Sequence, residues 1–206
     1  MTANKTSSAK SQKSSSEGSD FWSSIERHQT AALIGATAAG AVLGLAAGMG
    51  RKFAVQAPTA MAGDWLEGLK AEHRSVMKLF DAIEETGNDA RSRRKALLAK
   101  IKFALVKHAL EEENVIYPAL RESGEDEAAR ELYVEHALVK QYLYDLAQMP
   151  ADSSEFLDTI RRFRQDLEEH INIEENELFP KLMASCDEPT NRKLTTLVNK
   201  EGLKIA

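Results

Sequence analysis

With 206 residues, 43% of them hydrophobic, the chain has room for one ordinary domain and an appendage. A net charge of −5 leaves no basic stripe to neutralise phosphates, which argues against a nucleic-acid partner. The one cysteine, Cys186, excludes an intramolecular disulfide framework and fits a reducing compartment, and the scarcity of β-branched runs and aromatic residues favours helices.

Residues 1–30 begin with a Ser/Lys/Gly-rich tract that cannot bury enough apolar surface to order itself, so a disordered tail is expected there. Residues 31–50 carry no charge and are closed by Arg51-Lys52. As a helix they would span about 30 Å, roughly the hydrocarbon thickness of a bilayer. We read this run as a single-pass membrane anchor; a non-spanning Ala/Gly-rich segment on a soluble cytoplasmic chain is the alternative. Small residues at Ala32, Ala36, Gly40, Gly44 and Gly48 have the spacing for self-association of helices in lipid. Arg51-Lys52 against Arg27 tilts the following domain towards the cytoplasm. Residues 51–62, with Pro58, form a linker.

From residue 63 the pattern is helical. Asp64 and Glu67 make a capping-box-like start, followed by a face of Leu66, Leu69, His73, Val76, Phe80 and Ile83 at spacings of three and four. Gly87-Asn88 ends that helix. A second runs from Asp89 with Ile101, Leu105, His108, Glu112, Val115 and Ala119 inward and its Arg and Lys residues outward, until Pro118 kinks or ends it and Ser123-Gly124 turns the chain. The third opens with the acidic turn Glu125-Asp126-Glu127 and buries Ala129, Leu132, His136, Val139, Leu143 and Leu146. The fourth starts at Asp152 and buries Phe156, Ile160, Phe163, Leu167, His170, Glu174 and Leu178 before Pro180. The expected fold is all-α: an antiparallel up-down four-helix bundle over residues 63–186, an extra C-terminal helix over 187–206, and the N-terminal Ala/Gly-rich helix.

Two stretches of this pattern are nearly the same. His108 and His170 are each followed by a Glu after four residues, an aromatic after nine and a Pro after ten. Upstream, Glu72-His73 and Glu135-His136 repeat in the same order, so the halves look duplicated and four of the five histidines are accounted for. A lone His-x-x-x-Glu ordinarily lies on a solvated helix face, and a lone His in an apolar stripe is ordinarily a satisfied core residue. Here four His and two Glu share the core phase of their helices. Burying two unpaired carboxylates costs several kcal/mol each. No Lys or Arg is expected in the core phase at that level, so a multivalent cation is the economical partner. Imidazole and carboxylate without thiolate suit Fe, Mn or Zn, and six ligands exceed one tetrahedral zinc. Two metals fit the set, with His73, His108, His136 and His170 terminal, Glu112 and Glu174 bridging, and an oxo or hydroxo group as a third bridge. Glu72, Glu111, Glu135 and Glu169 flank the ligands and read as surface charges, because adjacent helix positions point apart.

On these residues, with Tyr117-Pro118 and Phe179-Pro180 behind the two His-x-x-x-Glu pairs, the chain resembles the hemerythrin-like (HHE cation-binding) family. The resemblance implies a four-helix bundle holding a non-haem di-iron centre that takes O2, NO or a related small ligand. Oxygen carriers of the family place a further His one turn after the third-helix ligand. This chain has Lys140 there, which favours ligand sensing or redox chemistry over oxygen transport. The resulting expectation is a small-molecule sensor or stress-response protein. The alternatives are a di-iron oxidoreductase acting on peroxide or NO, an iron-homeostasis protein, or a structural zinc bundle.

Overall fold

The computed structural model describes residues 61–87 and 89–205. The expected tail, the 31–50 span, nearly all of the linker and His28 lie outside them. Among the described residues no helix is long and apolar enough to cross a membrane.

The described chain is helical, without strands. Helix α1 is Trp65–Glu84, and α2 is Arg91–Glu111, which continues through a π-turn at Glu112–Ile116 into α3, Tyr117–Glu122. Helix α4 is Asp126–Gln148. The fourth rod repeats the second: α5, Ser154–Ile173, passes through a π-turn at Glu174–Leu178 into α6, Phe179–Ser185. Helix α7, Glu188–Ile205, follows. Short turns send successive rods in opposite directions, and α1 packs on both α2 and α5, as the up-down bundle requires.

The first helix starts as expected, with the Asp64 carboxylate accepting the Glu67 amide at 2.9 Å. The fourth is capped by Ser153 rather than Asp152; its hydroxyl accepts the Phe156 amide at 3.2 Å. Gly124, at φ 100°, takes the left-handed conformation that ends the second rod, and the Glu125 amide reaches back to the Leu120 carbonyl at 2.9 Å.

Pro118 and Pro180 neither end nor break their rods. A proline inside a helix lacks an amide donor and crowds the carbonyl four residues earlier. In both rods the five-residue π-turn sits immediately ahead of the aromatic-Pro pair, and the Tyr117 and Phe179 amides bond the carbonyls of Glu112 and Glu174. The extra residue also changes which side chains face inward. Ile116, Tyr117 and Leu120 become fully buried, whereas Ala119, expected in the core, is only half-buried.

Two apolar clusters bracket the middle of the bundle. One gathers Val76, Phe80, Ile101, Leu143, Phe156 and Phe163. The other joins Trp65, Leu69, Ile116, Leu120, Leu132 and Phe179 to Leu194 and Val198 of α7. Helix α7 is held by polar contacts too: the Trp65 indole donates to Asn191 Oδ1 and the Trp65 amide to Thr195 Oγ1, both at 3.0 Å. Leu203 is 37% exposed.

Two cations expected on the surface of α2 lie inside. Arg94 is 2% exposed and donates to Thr86 Oγ1 and to the Ala151 carbonyl, each at 2.8 Å. It thereby ties the α1–α2 turn to the α4–α5 turn. Lys107 is 4% exposed and belongs to the layer between the apolar clusters.

Candidate metal centre

All six sequence-selected residues, His73, His108, Glu112, His136, His170 and Glu174, meet in that layer, and each is buried. Their depths match because each His-x-x-x-Glu occupies one helical turn leading into a π-turn, and the neighbouring rod supplies its single His at the same height. Glu112 spans the two halves of the repeat. Its Oε1 lies 3.0 Å from His108 Nε2 and 3.8 Å from His73 Nε2, while Oε2 lies 3.3 Å from His136 Nε2. Glu174 Oε2 sits between His170 Nε2 at 3.3 Å and His73 Nε2 at 3.5 Å.

Four further carboxylates orient the rings. Glu175 lies 2.7 Å from His73 Nδ1, Glu72 3.2 Å from His108 Nδ1, Glu113 2.9 Å from His136 Nδ1 and Glu135 2.6 Å from His170 Nδ1. Each belongs to a neighbouring rod, not to the helix of the ring it holds. Glu72 and Glu135 are therefore not mere surface charges: they point away from the His beside them in sequence but reach the one across the seam. Glu111 is fully buried, and of the four flanking acids only Glu169 is exposed. Glu113 and Glu175 were missed by the sequence reading. The duplicated Glu-Glu pairs, 112–113 and 174–175, were the available signal.

A carboxylate at Nδ1 fixes the proton there and leaves the Nε2 lone pair turned to the centre. That arrangement tests the donor set. His73 Nε2 and His108 Nε2 are 2.7 Å apart. Glu112 Oε1, Glu174 Oε2 and His170 Nε2 are buried without a hydrogen-bond partner among the described residues. Lone pairs converging on lone pairs in a dry core require a positive charge between them, so the residues fit a bound metal.

Without metal, protons take that role. Burial pushes the His136 imidazole down, but Glu112 and Glu113 outweigh it and raise it to about 9; burial with the Glu112 charge pushes Glu174 up to about 7. Burial also raises Glu112, yet His108 and His136 hold its carboxyl well below the ordinary range. A raised imidazole value stabilises the metal-free fold below the ordinary value near 6.5, and this contribution is lost as pH climbs through about 9. Metal requires neutral imidazole, so its affinity follows the opposite course. Titrating metal-free protein with Fe(II) or Zn(II) at pH 7 is expected to release protons, visible as a calorimetric heat that depends on the buffer's ionisation enthalpy. Equal heats in phosphate and Tris would contradict this.

Two features break the internal symmetry. The Tyr117 hydroxyl donates to Glu174 Oε1 at 2.7 Å and lies 2.9 Å from His136 Nε2. The equivalent residue in the other half is Phe179. Lys107 bonds Glu111 at 2.8 Å and Glu72 at 2.5 Å beside His108, correcting the expectation of no cation at this level. Burial and the Glu72 charge raise Glu111 to about 8.

Fold and cluster together define a helical-bundle protein with a cation-binding centre of imidazoles and carboxylates in its core. The sequence profile described as the hemerythrin HHE cation-binding domain matches residues 65–182, and the chain belongs to that family. An uncharacterised hemerythrin-like protein of Schizosaccharomyces pombe is 35% identical over 38% of this chain and 40% of its own. A DNA nickase of Nostoc is 28% identical over 54% of this chain and 31% of its own. The match thus spans less than half the length of either curated relative. Among solved structures, a hemerythrin HHE cation-binding domain-containing protein of Mycobacterium kansasii aligns at TM-score 0.58 and 25% identity, over 69% of this chain and 85% of that one. The family binds metal cations, typically iron, and the His/Glu clusters are compatible with that role.

Proposed function

We propose that this chain is a non-haem di-iron protein that binds O2, NO or a related small ligand for sensing or stress response. One observation carries the reading. His73 with His108, and His136 with His170, form two four-residue clusters that share both Glu112 and Glu174. Shared carboxylates between two imidazole pairs are what two bridged ions require. His73, His108, His136 and His170 are the terminal ligands in this reading. When bound, the irons supply an exchangeable coordination position and one-electron chemistry. The protein holds the rings in one tautomer through the Nδ1 carboxylates, and the apolar clusters on either side exclude water. The test is metal analysis and optical spectroscopy of aerobically purified full chain. About two irons per chain with near-ultraviolet absorption is the expected result; zinc alone, without absorption, would overturn it.

Tyr117 favours a second reading, reduction of peroxide or NO, because its hydroxyl places a proton at the bridging Glu174 carboxylate. Phe179 at the matching position indicates that Tyr117→Phe keeps the packing. If this second reading holds, Tyr117→Phe slows peroxide turnover by about 10²-fold while O2 or NO binding persists. An unchanged turnover would remove the Tyr117 role.

A further inference from the structure

The seams between the rods are unequal. Where α2, α4 and α5 meet, a slot of about 20 Å³ lies against the rings of His108, His136 and His170. Its other walls are mainly Leu105, Ala109, Val139, Leu143 and Leu167. A void needs about 10–15 Å³ to hold a water-sized molecule, so this one admits a single small molecule. Water is poorly served there. It needs two to four polar partners, and beyond the three rings the walls offer almost none: the Nδ1 atoms are held by Glu72, Glu113 and Glu135, and the Nε2 atoms face the layer of Glu112 and Glu174.

Imidazoles aside, the one charged side chain lining the slot is Lys140, and its ammonium donates to Glu113 at 2.8 Å. Glu113 Oε1 accepts this bond while also holding His136 Nδ1. The cation is thus neutralised at the wall and offers no free charge to draw in an anion. The seam between α4 and α5 differs in charge. Its crevice of about 260 Å³ has mainly apolar walls, among them Leu138, Phe163 and Ile173, but adds Glu135, Asp166 and Glu169, and it meets the slot at Val139, Leu167 and His170. An anion approaching from there meets like charge, and one entering the slot loses its hydration without a partner.

We propose that the slot between α2, α4 and α5 is a binding chamber for one small uncharged molecule, of diatomic size, on its way to the metal centre. The chamber rests on the proposed reading of the centre only for what the guest meets at its end. It is tested first with xenon as the probe, in crystals of the full chain under xenon pressure. Xenon bound among Leu105, Val139, Leu143 and Leu167 is expected; a chamber without xenon, or filled by ordered water, overturns the proposal. Ala109→Leu is then expected to remove the xenon and slow NO association to reduced, iron-loaded protein at least tenfold, with iron content unchanged. Leu138→Trp, in the α4–α5 crevice, is the control and leaves the rate as it was. A rate unaffected by Ala109→Leu and slowed by Leu138→Trp would move the route to the crevice and refute the chamber. If loaded wild-type protein takes up no NO at all, the ligand reading falls, while the xenon result still decides the chamber.

Discussion

With two irons bridged as proposed, Glu112→Ala or Glu174→Ala is expected to lower iron to at most one per folded chain. Glu112 offers one oxygen to the His73–His108 pair and the other to His136, and Glu174 Oε2 lies between His73 and His170. In the proposed reading each variant therefore withdraws a ligand from both positions and leaves imidazole lone pairs facing each other in the core. The single-ion product keeps enough donors to hold one metal, because two His and the remaining Glu can close around it. Iron quantitation on the gel-filtered monomeric fraction, with far-ultraviolet circular dichroism as the fold control, measures this. Two irons retained in both variants would remove the bridging assignment.

Arg94→Met is expected to destabilise the fold by about 3–5 kcal/mol and to leave iron per folded chain unchanged. The guanidinium is buried at the far end of the bundle and donates to Thr86 and to the carbonyls of Gly87 and Ala151. Methionine keeps the volume of the stem but abandons these acceptors in a site that water reaches poorly. Urea unfolding of metal-free protein reads the loss, and metal analysis of the folded fraction separates stability from site geometry. A loss below about 1 kcal/mol would place Arg94 with ordinary surface residues.

The two substitutions show what could and could not be read from the order of residues. The six donor residues were legible because a helix converts spacing into direction. His and Glu four apart face one way, and their phase with leucines and phenylalanines puts them inside. Duplication of the pattern then distinguished a site from a chance pair. Arg94 and Lys107 were misplaced by the same logic, since periodicity assigns a residue to a face and assumes that charges choose the outside. Each is buried because acceptors await it there: the Thr86, Gly87 and Ala151 oxygens of two turns for Arg94, and Glu72 on α1 with Glu111 one turn further along α2 for Lys107.

Tyr117 and Ala119 were obscured for a different reason. A period of 3.6 residues carried through Glu112 turns Tyr117 away from the centre and Ala119 into the core. The π-turn ahead of Pro118 adds a residue to that turn and exchanges their places.

By itself, then, the sequence determined the helical class, the repeat and which four His and two Glu converge in the core, since these depend on local period and on the cost of burying carboxylates. Only the tertiary structure decided which carboxylate orients which ring, which cations lie inside, and that a tyrosine faces one half of the centre and a phenylalanine the other. Those pairings join residues on different rods at distances of 2.5 to 3.2 Å. Contacts of that kind depend on how the rods are rotated against one another, which no period within a single helix records.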